Sequence, residues 1–430
     1  MEKKLEQKSI AVIGLGYVGL PLALRCIEKG YQVFGLDLDE KKVQSIQSGV
    51  SPFKEEFIEK RKKDLTKIQS STDPAIIKDA DIVLICVPTP VDEQFYPILE
   101  PVKSAIRLTI ENHKAGRLVV VESTINPGVC EEIVEPIFKE NNLTEGKDYY
   151  LAHCPERIDP GNKKWNVTNI PRVVGSLSKE GLTAAAEFFE SIIDAPIKKM
   201  RSIREAEAVK IVENSFRDIN IAFVNELAKS FDQMGIDIKD VIEGAATKPY
   251  SFLAHFPGRG VGGHCIPVDP YYLIERAKRN GFDHRFLRTA REINNSMPIY
   301  TVELMQNLLN EVKMPMKETA IGVMGLSYKA NVDDLRESPA IKIIKELEKK
   351  GANVVRYDPF IPKLSDVKNL EEFLEKSAAI ILVTNHDEFI QMNIELFKKY
   401  GVKAIVDGMN CLDGTAIKEL GILYHGIGRQ

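Results

Sequence analysis

The sequence predicts an α/β chain: two doubly wound parallel-sheet domains joined by a helical middle domain with one long central helix. Three observations predict it. Short apolar runs of strand length alternate with helix-length amphipathic stretches over the first part of the chain, the signature of parallel strands linked by crossover helices. An unbroken helical pattern, free of Gly and Pro, then runs to Met234. From Glu318 the strand and helix alternation returns as a degenerate copy of the first. The boundaries that follow are 1–202, 203–314 and 315–430.

Each element has a local reason. Ser9 to Ile13 is an apolar run ending in Gly14-Leu-Gly16-Tyr17-Val18-Gly19; residues 20–29 continue with helical apolar spacing until Gly30, and Gln32 to Leu36 closes a βαβ unit at Asp37. Further strands are expected at 81–87, 118–122, 149–153 and 172–175. Ser202-Ile-Arg-Glu205 is a capping-box signature, so the central helix starts there and stops at Gly235. It would be about 45–50 Å long. Its apolar face (Val209, Val212, Phe216, Ile219, Phe223, Leu227, Phe231) is broad, so most of it is expected to be buried, with enough left over to form a homodimer. In the last third, strands are expected at 319–324, 353–357, 378–384 and 403–407, with a helix at 338–350. Ile-Gly-Val-Met-Gly (321–325) answers Ala-Val-Ile-Gly-Leu-Gly (11–16), Lys-Lys-Gly-Ala-Asn-Val answers Glu-Lys-Gly-Tyr-Gln-Val, and Ala-Ile-Ile-Leu-Val-Thr (379–384) answers Asp-Ile-Val-Leu-Ile-Cys (81–86). Both outer domains are therefore Rossmann-like. The second lacks the GxGxxG spacing and should not hold a dinucleotide in the same way, although a nucleotide-bearing substrate suits the equivalent crevice.

Composition excludes several classes. The 430 residues carry 58 basic and 62 acidic side chains, a formal charge of −4, without the basic excess of a nucleic-acid binder. Six cysteines, Cys26, Cys86, Cys130, Cys154, Cys265 and Cys411, include no CxxC pair, which points to thiols rather than disulfides or a metal site. The N-terminus does not resemble a signal peptide, and no apolar run approaches membrane-span length. A cytoplasmic protein is expected, with no nucleic-acid or membrane partner.

GxGxxG here follows a strand, opens a helix and is followed by an acid 18 residues after Gly19. Gly14 allows the tight turn, Gly16 lets the backbone approach a pyrophosphate, and Gly19 lets helix and strand pack closely; the helix N-terminus attracts the anion. Asp37 would accept from the ribose hydroxyls and repel a 2′-phosphate, favouring NAD, with Lys41 and Lys42 keeping NADP open. Just after the strands lie Thr89, Thr124 and Glu156, where ligands of open parallel sheets bind; the two threonines are equally able to serve as loop or helix caps.

The second strong signal is Phe256-Pro-Gly-Arg-Gly-Val-Gly-Gly-His-Cys265-Ile-Pro-Val-Asp-Pro. Four glycines in six residues let the backbone wrap closely around something, and Cys265 ends the wrap outside any apolar periodicity, as a nucleophile would. Asp269 also suits a helix N-cap with Pro270 next. Lys210, Asn214 and Arg217 fall near one face of the central helix; they are either oxyanion donors or a solvated stripe.

These motifs, with Val-Pro-Thr-Pro (87–90), Glu-Ser-Thr (122–124), Cys-Pro-Glu-Arg (154–157) and Gly-Leu-Ser-Tyr-Lys-Ala-Asn-Val-Asp-Asp-Leu-Arg-Glu-Ser-Pro (325–339), resemble the UDP-glucose/GDP-mannose dehydrogenase family over nearly the whole chain. Gly-Gly-His-Cys-Ile-Pro-Val-Asp-Pro (262–270) resembles its UDP-N-acetylhexosamine branch. The resemblance implies an NAD-dependent four-electron oxidation of a sugar C6 hydroxyl to a carboxylate. In it Cys265 would form a thiohemiacetal and then a thioester, and Lys210 and Asn214 would stabilise the oxyanions. Asp269 would assist as a base, and Glu156, with Thr124 placing a water, would assist hydrolysis. Gly14, Gly16, Tyr17, Val18, Gly19, Asp37, Thr89, Thr124 and Arg336 would hold NAD. Glu156, Arg157, Lys210, Asn214, Arg217, Arg259, Gly260, Gly262 and Lys329 would hold the UDP-sugar, and no metal is implied. Members acting on UDP-glucose carry a second glutamate where this chain has Pro160, so a Glu–Glu pair is not expected; the change fits a 2-acetamido sugar and puts UDP-N-acetylglucosamine ahead of UDP-N-acetylmannosamine. The competing readings are a two-electron 3-hydroxyacid-type dehydrogenase, which needs neither Cys265 nor a third domain, and a non-catalytic NAD sensor, which leaves the cysteine loop unexplained.

Overall fold

The computed structural model describes residues 8–53, 55–92, 96–158, 162, 164–263 and 265–430. They form two compact units, one of residues 1–213 with 271–280 and one of residues 214–270 with 281–430. Residues of the expected middle domain are thus shared between the two units.

The first unit is built on an eight-stranded sheet: β1 (Ser9–Ile13), β2 (Gln32–Leu36), β3 (Gln69–Ser71), β4 (Ile82–Ile85), β5 (Arg117–Val121), β6 (Tyr149–His153), β7 (Arg172–Ser176) and β8 (Ile197–Lys199). The order is β3-β2-β1-β4-β5-β6-β7-β8, so strand order reverses about β1, which pairs with β2 through Ile10↔Val33 and with β4 through Ile10↔Ile82. Every residue of β1 is buried because both sheet faces are covered: Ile10 and Val12 enter one apolar cluster, Ala11 and Ile13 the other. The sheet is parallel, as expected, at every pair but one. β7 runs antiparallel to β6, because the described residues between them contain no crossover helix to return the chain to the starting edge. β3 and β8, three residues each, are too short to show a period in sequence.

At the amino ends of the strands, the buried guanidinium of Arg117 donates to the carbonyls of Ile77, Lys78, Ala80, Thr109 and Asn112 at 2.7–3.4 Å. A buried charge is tolerated there because five carbonyl dipoles replace its hydration.

In the second unit, β9 (Ala320–Met324), β10 (Asn353–Tyr357), β11 (Ala379–Leu382), β12 (Ala404–Asp407) and β13 (Leu423–Gly426) form a parallel sheet in the order β10-β9-β11-β12-β13. One face packs against Val224 and Ala228 of the helix Ile203–Met234 and Met297, Met305 and Leu309 of the helix Arg285–Glu311. The other face is filled by Phe373, Phe389 and Phe397. The internal duplication is visible atom by atom. Gly14 N–H donates to Leu36 O at 2.8 Å and Gly325 N–H to Tyr357 O at 2.8 Å, and both glycines have φ +94°. That is left-handed backbone, and a Cβ would meet Cys86 O at 2.6 Å in the first copy and Thr384 Cβ at 2.5 Å in the second.

The central helix occupies the expected residues, and the Ser202 hydroxyl contacts the Glu205 carboxylate at its start. Its burial differs from expectation. Val212, Phe216 and Phe223 are 51–56% exposed, since the core takes the intervening Ile211, Ala222, Val224 and Ala228 instead. Among the described residues no helix is long and apolar enough to cross a membrane.

Candidate functional site

In the first unit the carboxyl ends of β1, β2, β4, β5 and β6 bring the expected cofactor residues to one edge. The residues present fit a dinucleotide. Gly16 has no atom near where a Cβ would stand, leaving its backbone open to a pyrophosphate, whereas Gly19 is pressed against Gly14 O and Val12. Asp37 Oδ2 accepts from Leu15 N at 2.7 Å and from Lys42 Nζ at 2.7 Å, and Oδ1 accepts from Asp39 N at 3.0 Å. Burial alone would raise this carboxyl, but Lys42 and the two backbone N–H groups outweigh it and hold it below the usual range. Tyr17 lies against Phe53, ring centroids 4.2 Å apart, and Val18 is half-buried at the start of the helix. Thr89 is buried, with its carbonyl accepting from the Tyr272 hydroxyl; Thr124 is half-buried after β5.

Glu156 sits after β6 in a network the sequence did not reveal. Its Oε1 accepts from Arg157 N at 2.5 Å and Ile158 N at 2.7 Å, while Oε2 accepts from Arg172 at 2.6 Å. Arg172 is wholly buried and also donates to Glu122 at 3.0 Å. Two carboxylates thus share one guanidinium. Burial first, and then the Glu156 charge, push Glu122 up to about 8 against the opposing pull of Arg172. Arg157, expected to touch substrate, donates to Glu213 and to Pro171 O. Lys210, one turn before Asn214 on the central helix, is half-buried. Pro160 lies outside the described residues.

In the second unit Cys265 is the one exposed thiol of the six. It opens the turn into the helix Asp269–Arg279, with its carbonyl accepting from Val268 N at 3.1 Å and Asp269 N at 2.8 Å. Asp269 is buried and accepts from Asn214 Nδ2 at 2.5 Å. The glycine run wraps around the chain itself. Gly263 (φ +89°) donates to Arg336 O at 3.0 Å, and a Cβ there would strike the Tyr328 ring at 2.7 Å; Gly262 is closed in by Tyr328 and Pro339, and Gly260 by Pro298. His264 lies outside the described residues. Arg336, expected at the cofactor, makes a two-oxygen pair with Asp334, which raises its pKa above the ordinary value; the Cys265 thiol adds a smaller upward pull. Lys329 is half-buried and Arg217 exposed.

Arg259 is held at the carboxyl end of the second sheet: its N–H donates to Gly408 O, next after β12, at 2.9 Å, and its Nη2 to Tyr328 O at 3.0 Å. It is buried, its Nε has no hydrogen-bond partner, and it forms no ion pair among the described residues. Burial pulls its pKa down to about 10, against only the Cys411 thiol. Arg117 answers its burial with five carbonyls. Arg259 has one, which is the arrangement of a cation awaiting an anion.

Residues 8–193, 204–296 and 322–414 match, respectively, the NAD-binding, central and UDP-binding domains of the UDP-glucose/GDP-mannose dehydrogenase family. The chain is 37% identical to a UDP-N-acetyl-D-mannosamine dehydrogenase of Pyrococcus horikoshii, over 98% of this chain and 99% of that one. It is 33% identical to a UDP-N-acetyl-D-glucosamine 6-dehydrogenase of Salmonella typhi, over 92% and 94%. The solved structure of the UDP-D-ManNAc dehydrogenase from Pyrococcus horikoshii superposes with a TM-score of 0.92 at 36% identity, covering 98% of this chain and 99% of that one. Three consecutive domain matches, near-complete coverage and the cofactor-edge geometry lead to one conclusion: the chain belongs to the UDP-glucose/GDP-mannose dehydrogenase family and is an NAD-dependent nucleotide-sugar dehydrogenase.

Proposed function

We propose that the chain oxidises the C6 hydroxyl of a UDP-N-acetylhexosamine to the uronate with two NAD per sugar, through a covalent bond to Cys265. The observation that carries this reading is the pairing of an exposed thiol with a buried acid and an amide: Cys265 stands one turn before Asp269, and Asp269 is held by Asn214. NAD supplies the hydride acceptor in both oxidations. The first converts the alcohol to the aldehyde, releasing one proton. The Cys265 sulfur then adds to the aldehyde carbon, and the carbonyl oxygen takes up negative charge that Lys210 and Asn214 are suited to stabilise. The second oxidation leaves a thioester. Attack by water breaks the C–S bond, giving the carboxylate and regenerating the thiol. Glu156 enters this scheme as a carboxylate already engaged by three donors, which suits it to holding a water with Thr124 more than to taking its proton. Arg259 is assigned to the diphosphate of the substrate, with Lys329 beside it on the Tyr328 turn.

The sugar is proposed to be N-acetylmannosamine first and N-acetylglucosamine second. Pro160 alone favoured the opposite order, but the mannosamine relative is the more similar of the two reported above. A panel of UDP-sugars followed at 340 nm, with NADH counted per sugar, tests both points. Two equivalents from UDP-N-acetylmannosamine are expected. One equivalent, or undiminished two-equivalent turnover in Cys265→Ala, sinks the covalent route.

The exposed Val212, Phe216 and Phe223 recur at helical spacing and support a homodimer through the central helix. Light scattering should give twice the chain mass, falling to one in Phe216→Glu/Phe223→Glu; a wild-type monomer refutes it.

A further inference from the structure

The second sheet keeps the acid of a dinucleotide site and puts a ring against it. Asp37 and Asp358 occupy equivalent places after β2 and β10, and each accepts through Oδ2 from the residue after the turn glycine, Leu15 N and Leu326 N, at 2.7 Å. Each also accepts through Oδ1 from the backbone two residues on, Asp39 N at 3.0 Å and Phe360 N at 2.8 Å. There the likeness ends. Asp358 is wholly buried, and its Oδ2 accepts further from Ser327 N at 2.9 Å and His386 Nε2 at 3.0 Å. Ser327 stands where Gly16 stands in the first copy, so no open backbone is left for a pyrophosphate.

His386 has no exposed surface, stacks on Phe360 at 4.8 Å and meets Phe389 edge-on at 5.2 Å. Its Nδ1 accepts from Asn331 N at 2.9 Å, which places the ring proton on Nε2, facing Asp358. Both nitrogens are thus engaged by partners within the chain. What it holds is the turn between Ser327 and Asn331. Ser327 Oγ lies 3.2 Å from Nε2 and donates to Lys329 O at 2.9 Å; Thr384 Oγ1 donates to Ser327 O at 2.5 Å, and Asn331, at φ +60°, accepts through its side chain from Asp387 N at 3.1 Å. These anchors lead to His386 or to residues close to it in sequence, while Tyr328, within the turn, is held separately by Asp334 O at 3.0 Å and Arg259 Nη2 at 3.0 Å.

We propose that His386 is a positioning residue for the nucleotide-sugar site: wedged between Asp358 and Asn331, its imidazole fixes the Ser327–Asn331 turn and thereby aims Lys329 at the uridine diphosphate part of the substrate. The Asp358–His386 pair is a dinucleotide acid turned to a new use. This rests on the assignment of Lys329 to the UDP-sugar made above.

The test compares His386→Gln, His386→Phe, Ser327→Ala and Lys329→Met, each checked for wild-type circular dichroism, by calorimetric binding of UDP and by steady-state kinetics. The His386 variants should weaken UDP and raise KM for the UDP-sugar about tenfold, and Ser327→Ala, losing one hydrogen bond, about 3–10-fold. KM for NAD should stay unchanged and kcat should hold within about twofold. His386→Gln, which keeps an amide donor, should be milder than His386→Phe. If the His386 variants do not fold, Ser327→Ala decides. Should Lys329→Met weaken UDP while Ser327→Ala and the folded His386 variants bind it as wild type does, the positioning role is overturned and the Lys329 assignment stands. A Lys329→Met enzyme with unchanged UDP affinity overturns both.

Discussion

Asn214 donates its side-chain amide to the buried Asp269 carboxylate across 2.5 Å, joining residues 55 positions apart in sequence. With Asn214 as the proposed oxyanion donor, Asn214→Ala is expected to lower kcat by about 10²–10³. It also leaves the acid with one donor fewer, so Asp269→Asn in the same background should cost less than it does alone. Additive losses in kcat would show that the two act separately.

Glu122 gives the enzyme a pH-dependent stability of predictable sign. Its folded pKa of about 8 lies above the unfolded value near 4.5, so between those values the native state binds more protons than the unfolded one. Stability attributable to this group is therefore undiminished below about pH 4.5 and falls as pH rises to about 8, by at most about 1.4 kcal/mol per pH unit. Glu122→Gln should remove that slope. Melting temperatures of the two proteins should agree near pH 5 and separate in favour of the variant at pH 8 and above; parallel curves would contradict the assignment.

Asp37 carries the opposite sign and a binding consequence. Held low by Lys42 and two backbone N–H groups, it contributes stability above the unfolded carboxylate pKa of about 3.9 that is lost as pH falls through its lower folded value. Asp37→Ser removes the acceptor proposed for the ribose hydroxyls and takes from Lys42 its carboxylate partner. NAD affinity should fall by about 10–100-fold and NADP affinity should rise. An unchanged ratio of kcat/KM for the two cofactors would exclude Asp37 as the discriminating residue.

Arg259 separates stability from binding. Its buried charge has one carbonyl for company, so Arg259→Met should leave the ligand-free protein as stable as wild type or more so. UDP should raise the melting temperature of wild type and not of the variant. A variant that UDP still stabilises would free Arg259 from the diphosphate.

Long, regular elements and local chemistry were legible in sequence. β1, β2, β6 and β10 have the expected bounds; for β1, β2 and β6 the reason is that buried parallel strands are largely continuous apolar runs, whereas β10 is a half-exposed edge strand whose start is marked by Gly351. Gly14, Gly16, Gly19 and Asp37 stand where their spacing put them. Periodicity tells which face a residue shares, not which partner lies opposite. It therefore missed the Glu122–Arg172–Glu156 trio, whose members come from the ends of three strands, and the Asp358–His386 pair. It also took Val212, Phe216 and Phe223 for core, since apolar spacing is the same on a face that packs within the chain and on one that does not. The four glycines before Cys265 signalled close approach correctly, but what they approach in this structure is the chain itself, at Gly408, Pro298, Tyr328 and Pro339.

The matching φ of Gly14 and Gly325 shows how little backbone separates the cofactor edge of the first sheet from its counterpart in the second. The backbone hinge, the following N–H and the acid are all present in the second copy; what differs is that Ser327 N and His386 Nε2 stand at 2.9 and 3.0 Å from the Asp358 carboxylate. A difference of this kind leaves the backbone of the turn unchanged and alters only what can stand beside its acid.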